Sequence, residues 1–184
     1  MGEFSRMYRS DLSDREFMLF WRRLKESGRD TATFYNVPPM NKRAFAAWAR
    51  SENVHPWIIL FRGEACGLFW LTDQEGATAK CHFATLPQGA RRTAGGMSVT
   101  QAFGRYALSS VLHARDEEGR HLLDRCYGVT PLYNQAAIRF IHRVGAMDIT
   151  VLPGAVFNFA TGHNADALLT LYTRDTVPAE YAAL

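Results

Sequence analysis

The sequence contains few of the residues that mark a secreted or membrane protein. Its 184 residues include three cysteines, Cys66, Cys81 and Cys126, which are widely spaced and form no CxxC pair. This spacing excludes a disulfide framework and favours a reducing compartment, so we expect a cytoplasmic protein. No apolar run reaches the roughly 18 residues that a membrane-spanning helix needs. Residues 1–12 contain no apolar stretch typical of a signal peptide. We therefore expect no association with a membrane.

The chain also has little excess of positive or negative charge. The chain has 21 Lys and Arg against 18 Asp and Glu, which gives a formal net charge of +3. This balance is too mild to indicate a nucleic-acid partner, although a local basic patch can still bind an anionic ligand. The six histidines are dispersed, and no spacing of His, Cys, Asp or Glu is typical of a metal site. We expect neither nucleic acid nor metal.

What the chain does contain is enough apolar material for one core. Hydrophobic residues make up 47% and aromatic residues 12% of the sequence, as in ordinary globular domains. A length of 184 residues favours a single domain. We expect this domain to span residues 7–176, with residues 1–6 and 177–184 as terminal tails. Whether Met1 or Met7 is the true start stays open.

The spacing of apolar residues predicts an alternation of strands and helices. Ser13 and Glu16 form a capping-box pattern at the start of the first helix. Strands at 57–61, 65–71 and 78–86, joined by short turns, are typical of an antiparallel meander. The remaining predicted elements are a strand at 7–10, helices at 41–51 and 98–114, a strand ending at Thr130, a helix from Asn134 to Gly145, and strands at 148–152 and 168–174. This order is typical of one α/β domain with a mixed sheet.

Two segments carry functional signals. In the first, from Leu122 to Met147, a short strand ends at Thr130 and Asn134 stands where a helix N-cap belongs. An Asn at this place has its side-chain amide near a ligand held at the end of the strand. In the second, Gln88 to Met97, glycines and two arginines precede a helix N-terminus, which is a pattern suited to a pyrophosphate. A surface loop with solvated arginines is the alternative for this second segment.

Together the two segments resemble the GNAT family of acetyl-CoA-dependent N-acyltransferases. In that family a strand with a Val-x-Pro-like end precedes an Arg/Gln-x-x-Gly-x-Gly/Ala loop, and a later strand precedes an Asn-x-x-Ala helix. The matching residues here are Thr85-Leu86-Pro87, Arg92 to Met97, Asn134 to Ala137, Phe140-Ile141 and Gly145-Ala146. The resemblance extends from about residue 7 to 174. It implies a mixed, mostly antiparallel sheet of about six to seven strands, flanked by about four helices, with a splay between the fourth and fifth strands.

The resemblance also implies a cosubstrate and its binding residues. Acetyl-CoA is expected in the splay, with an amine of a small molecule or peptide as the acceptor. The residues expected to bind acetyl-CoA are Thr85, Leu86, Arg91, Arg92, Ala94, Gly95, Gly96, Met97, Ser98, Asn134 and Ala137. The sequence does not identify the acceptor, and the oligomeric state, including a homodimer, stays open.

Three residues are candidates for proton transfer in such a site. His82 is the first choice for a general base, because it lies on the strand beside the expected splay and an imidazole titrates in the useful range. Tyr133 and then Tyr127 are candidates for the acid that protonates the thiolate. Packing inside the protein is the alternative role for all three. Many family members have a Tyr where this chain has Ile141.

Two functions follow from these observations. The first is N-acetyl transfer by direct attack of an amine on the thioester in a ternary complex. The second is a catalytically inactive module of the same fold that binds CoA or a protein partner, which the departures at Met97 and Ile141 favour. Turnover of acetyl-CoA with an amine would distinguish the two.

Overall fold

A computed structural model describes residues 2–93 and 95–184 of the chain. The strands are β1 (Phe4–Tyr8), β2 (His55–Phe61), β3 (Glu64–Glu75), β4 (Thr78–Thr85), β5 (Arg125–Pro131), β6 (Met147–Asn158) and β7 (His163–Thr173). The helices are α1 (Asp14–Glu26), α2 (Asp30–Thr33), α3 (Lys42–Arg50), α4 (Val99–Leu112) and α5 (Gln135–Val144). The strands form one sheet in the order β1-β2-β3-β4-β5-β7-β6.

The two faces of the sheet are covered by different helices. Helices α4 and α5 bury Phe103, Leu108 and Ile141 against one face. Helices α1 and α3 bury Phe17 and Phe45 against the other. The sequence prediction of a single α/β domain with a mostly antiparallel sheet is confirmed.

The sheet contains one parallel seam, between β4 and β5. Only three residue pairs join these strands: Thr78 with Arg125, Ala79 with Cys126 and Lys80 with Tyr127. Beyond this point β4 continues to Thr85 alongside β3, and β5 continues to Pro131 alongside β7. The described residues of the two strands do not pair there, so the strands diverge and leave a gap. The predicted splay between the fourth and fifth strands is therefore confirmed.

Helix α4 lies across this seam and contacts β2, β3 and β5. It also packs closely on α5. A Cβ added to Gly104 of α4 would lie 2.5 Å from Cγ2 of Val144 in α5, which is shorter than a van der Waals contact. Gly104 therefore allows the two helices to approach each other.

Two helix caps and one left-handed glycine that the sequence predicted are present in the structure. The Glu16 amide donates to Ser13 Oγ, and the Ser13 amide donates to the Glu16 carboxylate, which completes the capping box. The Ala137 amide donates to Asn134 Oδ1 over 3.1 Å, so Asn134 is the N-cap of α5. Gly145 follows α5 with a φ of 114°, a left-handed conformation that favours glycine.

The ends of the chain differ from the sequence expectation. Strand β1 begins at Phe4 rather than at residue 7, and the Phe4 side chain is buried. The Phe4 amide donates to the carbonyl of Leu184 over 3.1 Å, and Val177 is fully buried. Residues 4–6 and 177–184 thus pack with the rest of the chain. The sequence did not predict the earlier start of β1, because the burial of this short segment depends on contacts distant in sequence.

The hairpin of β6 and β7 is longer than the strands expected at 148–152 and 168–174. Register shifts between Asp148 and Thr150 and between Leu152 and Val156 let β6 continue through Pro153 and Gly154. Strand β6 is a sheet edge, and most of its side chains are exposed. Within the described residues, no helix combines the length and the apolar character needed to cross a membrane.

Candidate functional site

The gap between β4 and β5 forms a cavity of about 500 Å³. Its β4 wall includes His82 and Thr85, and its β5 wall includes residues 128–131. The other two sides come from helices on opposite faces of the sheet. The lining residues from the α4 and α5 side include Ser98, Thr100, Gln101, Asn134, Ala137, Arg139, Phe140, Ile141 and Arg143, and those from the α1 to α3 side are Arg29, Ala32, Thr33 and Tyr35.

The parallel register shows which residues stand opposite each other in the gap. Tyr127 lies 47 positions after Lys80, its partner in the last pair, and Val129 lies 47 positions after His82. Because each strand advances equally per residue, His82 and Val129 lie at about the same level on the two sides. This level is just beyond the point where pairing stops.

His82 is held in place on β4 by two contacts. Its ring stacks on that of Trp70, with ring centroids 4.9 Å apart and an interplanar angle of 4°. Its Nε2 lies 2.9 Å from Thr72 Oγ1. Burial and then the nearby charge of Lys80 lower the pKa of His82 to about 3. The imidazole is therefore neutral near pH 7, and its pKa lies outside the range on which its prediction as a general base relied.

Tyr35 lies on the α1 to α3 side of the cavity, at the level of Val129. Its hydroxyl donates to the carbonyl of Val129 over 3.2 Å. Burial, and then the neighbouring Tyr133, raise the pKa of Tyr35 to about 12. The hydroxyl therefore keeps its proton over the physiological range and acts as a donor.

Arg29 places a positive charge beside the end of β4. Its Nη1 donates to the Thr85 carbonyl over 3.0 Å and to Thr85 Oγ1 over 2.7 Å. Among the described residues, Arg29, Arg139 and Arg143 form no ion pair with a carboxylate. The described lining contains these three arginines and neither Asp nor Glu.

The N-terminus of α4 lies at the cavity. Ser98 is its N-cap and accepts from the Gln101 amide over 3.3 Å. Arg139 and Arg143 of α5 line the same side. A 14-residue helix N-terminus beside two cations is an environment that favours an anion.

The predicted binding loop before α4 is mostly not part of the cavity lining. Arg91 binds Glu64 over 2.7 Å, and Arg92 donates to the Gly96 carbonyl over 2.7 Å. Leu86 is buried in the core, and its amide donates to Cys66. Of the predicted loop, only Ser98 lines the cavity; Gly95, Gly96 and Met97 do not, and Ala94 lies outside the described residues.

The remaining predicted residues divide between the lining and its surroundings. Thr85, Asn134, Ala137 and His82 line the cavity together. Tyr133 is 50% exposed, and Tyr127 lies in the last pair of the seam; neither lines the cavity. Ile141 is buried and lines it from the α5 side.

Sequence reasoning missed Arg29, Tyr35 and Thr72. Arg29 and Tyr35 flank α2, a helix of four residues that is too short to give a periodic pattern. Their partners, Thr85 and Val129, are distant in the sequence. For Thr72 the one available signal was the pairing of Trp70 with His82. Opposite residues in an antiparallel meander share a face, and Thr72 lies two residues after Trp70, so it is on that same face.

Neither a protein-family model nor a curated protein sequence matches this chain. Solved structures do match. Spermidine N-acetyltransferase from Vibrio cholerae, in complex with CoA and spermine, has a TM-score of 0.69 at 12% identity, covering 95% of this chain and 98% of that one. RimJ from Mycobacterium smegmatis, in complex with CoA-disulfide, has a TM-score of 0.64 at 18% identity, covering 93% and 83%.

A third match is YncA from Salmonella typhimurium, solved with its cofactor acetyl-CoA. Its TM-score is 0.59 at 16% identity, and the match covers 93% of this chain and 94% of that one. The three matches each cover 93% or more of this chain. The chain therefore has the fold of the GNAT acetyltransferases.

Proposed function

We propose that this protein is an N-acetyltransferase that transfers the acetyl group of acetyl-CoA to an amine within a ternary complex. The observation that carries the proposal is the gap beyond the pair Lys80–Tyr127, with the N-terminus of α4 at the same cavity. The similar structures that contain CoA or acetyl-CoA support it.

The residues around the cavity fit this cosubstrate. The amides at the start of α4, with Arg139 and Arg143, are suited to its phosphates. The backbone of β4 after Lys80 has no strand partner on the β5 side among the described residues, so it is suited to hydrogen bonds with an extended amide chain. Asn134 and Ala137 line the adjoining wall.

Direct attack is favoured over an acyl-enzyme intermediate by the state of Cys81. This thiol lines the cavity and is 4% exposed. Burial, together with Cys126, raises the pKa of Cys81 well above its usual value. Because the thiolate is the nucleophilic form, a thiol held protonated does not compete with the amine.

His82 and Tyr35 supply the polar groups near the reacting atoms. Acetyl-CoA supplies a thioester whose C–S bond breaks as the C–N bond forms, so the nitrogen loses one proton and the sulfur gains one. His82, neutral near pH 7, accepts a hydrogen bond from the amine and orients its lone pair. Tyr35 retains its proton, and its hydroxyl turns from the Val129 carbonyl to donate to the departing sulfur. Water that reaches the cavity removes the proton of the amine.

The charges of the cavity bear on the acceptor. A polyamine carries several positive charges, and the described lining contains no carboxylate to balance them. Arg29, which is not assigned to the phosphates of the cosubstrate, adds a positive charge on the α2 side. Unbalanced like charges disfavour such a ligand. The acceptor we propose is an amine whose remaining groups are neutral or anionic.

The proposal is tested by calorimetry with acetyl-CoA, followed by measurement of free thiol release over a panel of amines. We expect saturable binding and turnover, with spermine a poorer acceptor than neutral or anionic amines. Binding without turnover across the panel would favour the inactive module of the same fold, and no binding at millimolar acetyl-CoA would refute a CoA site.

The pH dependence provides a second test. Because the pKa of His82 is lowered to about 3, this group stays neutral as pH rises from 5 to 8. We expect kcat/KM to rise with pH through deprotonation of the amine alone, so the midpoint should move with the pKa of the amine chosen. A midpoint fixed near the ordinary pKa of histidine, about 6.5, for every amine would refute this role of His82.

A further inference from the structure

His82 is linked through Thr72 to a carboxylate on the neighbouring strand. Thr72 Oγ1 lies 2.9 Å from His82 Nε2 and 3.3 Å from Asp73 Oδ2. Lys80 lies on the other side of the carboxylate, with Nζ 3.9 Å from Asp73 Oδ2. The hydroxyl of Thr72 thus stands between an imidazole and a carboxylate.

The backbone at Asp73 departs from regular strand geometry. Asp73 has a φ of +49°, a left-handed conformation that is uncommon for residues other than glycine. It lies in a register shift between Thr72 and Glu75 in the pairing of β3 with β4. A bulge of this kind redirects side chains, and strained conformations occur at functional sites. Here the bulge places two consecutive side chains, Thr72 and Asp73, in contact.

The direction of these hydrogen bonds follows from the number of protons available. An ionised carboxylate is only an acceptor, so the single hydroxyl proton of Thr72 goes to Asp73. Thr72 Oγ1 can then only accept, and the proton in its contact with His82 is on Nε2. A neutral imidazole carries one N–H, which leaves Nδ1 with a lone pair.

The lone pair on Nδ1 is available to a ligand. Among the described residues, His82 Nδ1 has no hydrogen-bond partner. This atom is not fully buried, whereas the hydroxyl of Tyr172 is both fully buried and without a partner. The stacked ring of Trp70 fixes the plane of the imidazole. His82 lines the cavity, so a fixed plane and a fixed tautomer define where the lone pair points.

We propose that Thr72 and Asp73 are positioning residues that hold His82 in the Nε2-protonated tautomer, with the Nδ1 lone pair directed at the amine acceptor. The catalytic consequence rests on the proposed function, whereas the tautomer is a property of the protein alone. Neither Thr72 nor Asp73 lines the cavity, and both act through His82.

The experiment uses full-length protein labelled with ¹⁵N-histidine, in which two-bond ¹H–¹⁵N correlation spectra identify the tautomer of each ring at pH 7.5. The His82 signals are assigned by their loss in His82→Asn. We expect the Nε2–H form alone in the wild type and in Thr72→Ser, which keeps the hydroxyl. Thr72→Val has nearly the same shape without a hydroxyl and should populate both tautomers.

Asp73→Gly tests the carboxylate without adding backbone strain, because glycine readily adopts a positive φ. With its acceptor removed, the Thr72 hydroxyl can donate to Nε2, so we expect an Nδ1–H form to appear. An Nδ1–H form in the wild type, or spectra unchanged in both Thr72→Val and Asp73→Gly, would overturn the proposal. Thermal melts of each variant establish that it is folded.

Turnover separates this inference from the proposed function. We expect Thr72→Val to lower kcat about tenfold, the effect of one lost hydrogen bond, with an unchanged Kd for acetyl-CoA and recovery in Thr72→Ser. If the tautomer shifts as expected while no variant has turnover, the positioning stands and the proposed function fails. If turnover falls without a shift in tautomer, the positioning fails.

Discussion

The two helical sides of the cavity are built in different ways. The α4 and α5 side consists of consecutive turns of two capped helices, and its geometry follows from helix packing at Gly104 and Val144. The α1 to α3 side comes from the irregular segment around α2. That segment is attached to the sheet by side-chain hydrogen bonds, from Arg29 to Thr85 and from Tyr35 to Val129.

This difference predicts how each side responds to substitution. A helical side depends on backbone hydrogen bonds and buried area, so its changes should appear in the free energy of unfolding and in acetyl-CoA binding. The α2 side is held to the core by Phe34, which stacks on Trp70, and it reaches the cavity through a few polar contacts. Removal of one of these polar contacts should therefore appear in turnover with little loss of stability. The three predictions below test this contrast.

The largest expected effect comes from Tyr35→Phe. Removal of the hydroxyl takes away the proposed donor and the bond to Val129, so we expect kcat to fall about a hundredfold, a magnitude typical of general acid catalysis. The Kd for acetyl-CoA, measured by calorimetry, should stay the same. Tyr133→Phe is the matched control, because Tyr133 is 50% exposed and does not line the cavity. A larger loss in Tyr133→Phe would reverse the assignment.

The second prediction concerns the opposite side and has an intermediate effect. In Gly104→Ala the new methyl group would meet Val144 and push α5 away from α4. We expect a loss of about 1–3 kcal/mol in the free energy of unfolding, the usual range for overpacking, and weaker acetyl-CoA binding. Urea unfolding measures the first and calorimetry the second.

Ala47→Ser, which adds one atom at an exposed position of α3, serves as the control for Gly104→Ala. It should leave acetyl-CoA binding unchanged and cost no more than about 0.7 kcal/mol of stability, the usual range of helix propensities. In an exposed helix a glycine-to-alanine change stabilises by about 1 kcal/mol. A more stable Gly104→Ala protein would therefore show that the two helices are not in close contact.

The smallest expected effect comes from Asn134, which touches both sides. Its Oδ1 caps α5, and its Nδ2 lies 3.5 Å from the carbonyl of Ala32. Asn134→Ala should cost about 1 kcal/mol of stability through the lost cap. Asn134→Ser keeps a capping oxygen but not the amide donor, so it should retain stability while raising the Kd for acetyl-CoA. Equal melting temperatures for Asn134→Ala and wild type would contradict the capping role.

The parts of this molecule that were predictable from sequence are those fixed by local chemistry. The capping box at Ser13, the N-cap at Asn134 and the left-handed Gly145 depend on neighbouring residues, and each formed as expected. The meander of β2 to β4 follows from alternation and short turns. At the turn between β2 and β3, Arg62 and Gly63 both have positive φ, as expected for a two-residue hairpin.

The candidate site was only partly predictable, because its geometry depends on contacts distant in sequence. Strand position suggested His82, but no sequence pattern shows that burial against Trp70 lowers its pKa. Arg91 and Arg92 matched a phosphate-binding pattern, yet in the structure they bind Glu64 and Gly96. The fold was predictable because a sheet with helices on both faces follows from summed patterns, whereas a site depends on individual side-chain partners.

The short seam between β4 and β5 divides the sheet into two half-sheets joined by only three residue pairs. So few hydrogen bonds leave the angle between the halves weakly determined by the strands themselves. Helix α4 contacts β2 and β3 in one half and β5 in the other. Its packing against both halves therefore sets the angle between them. The element whose first turn lines the cavity also fixes how wide the cavity opens.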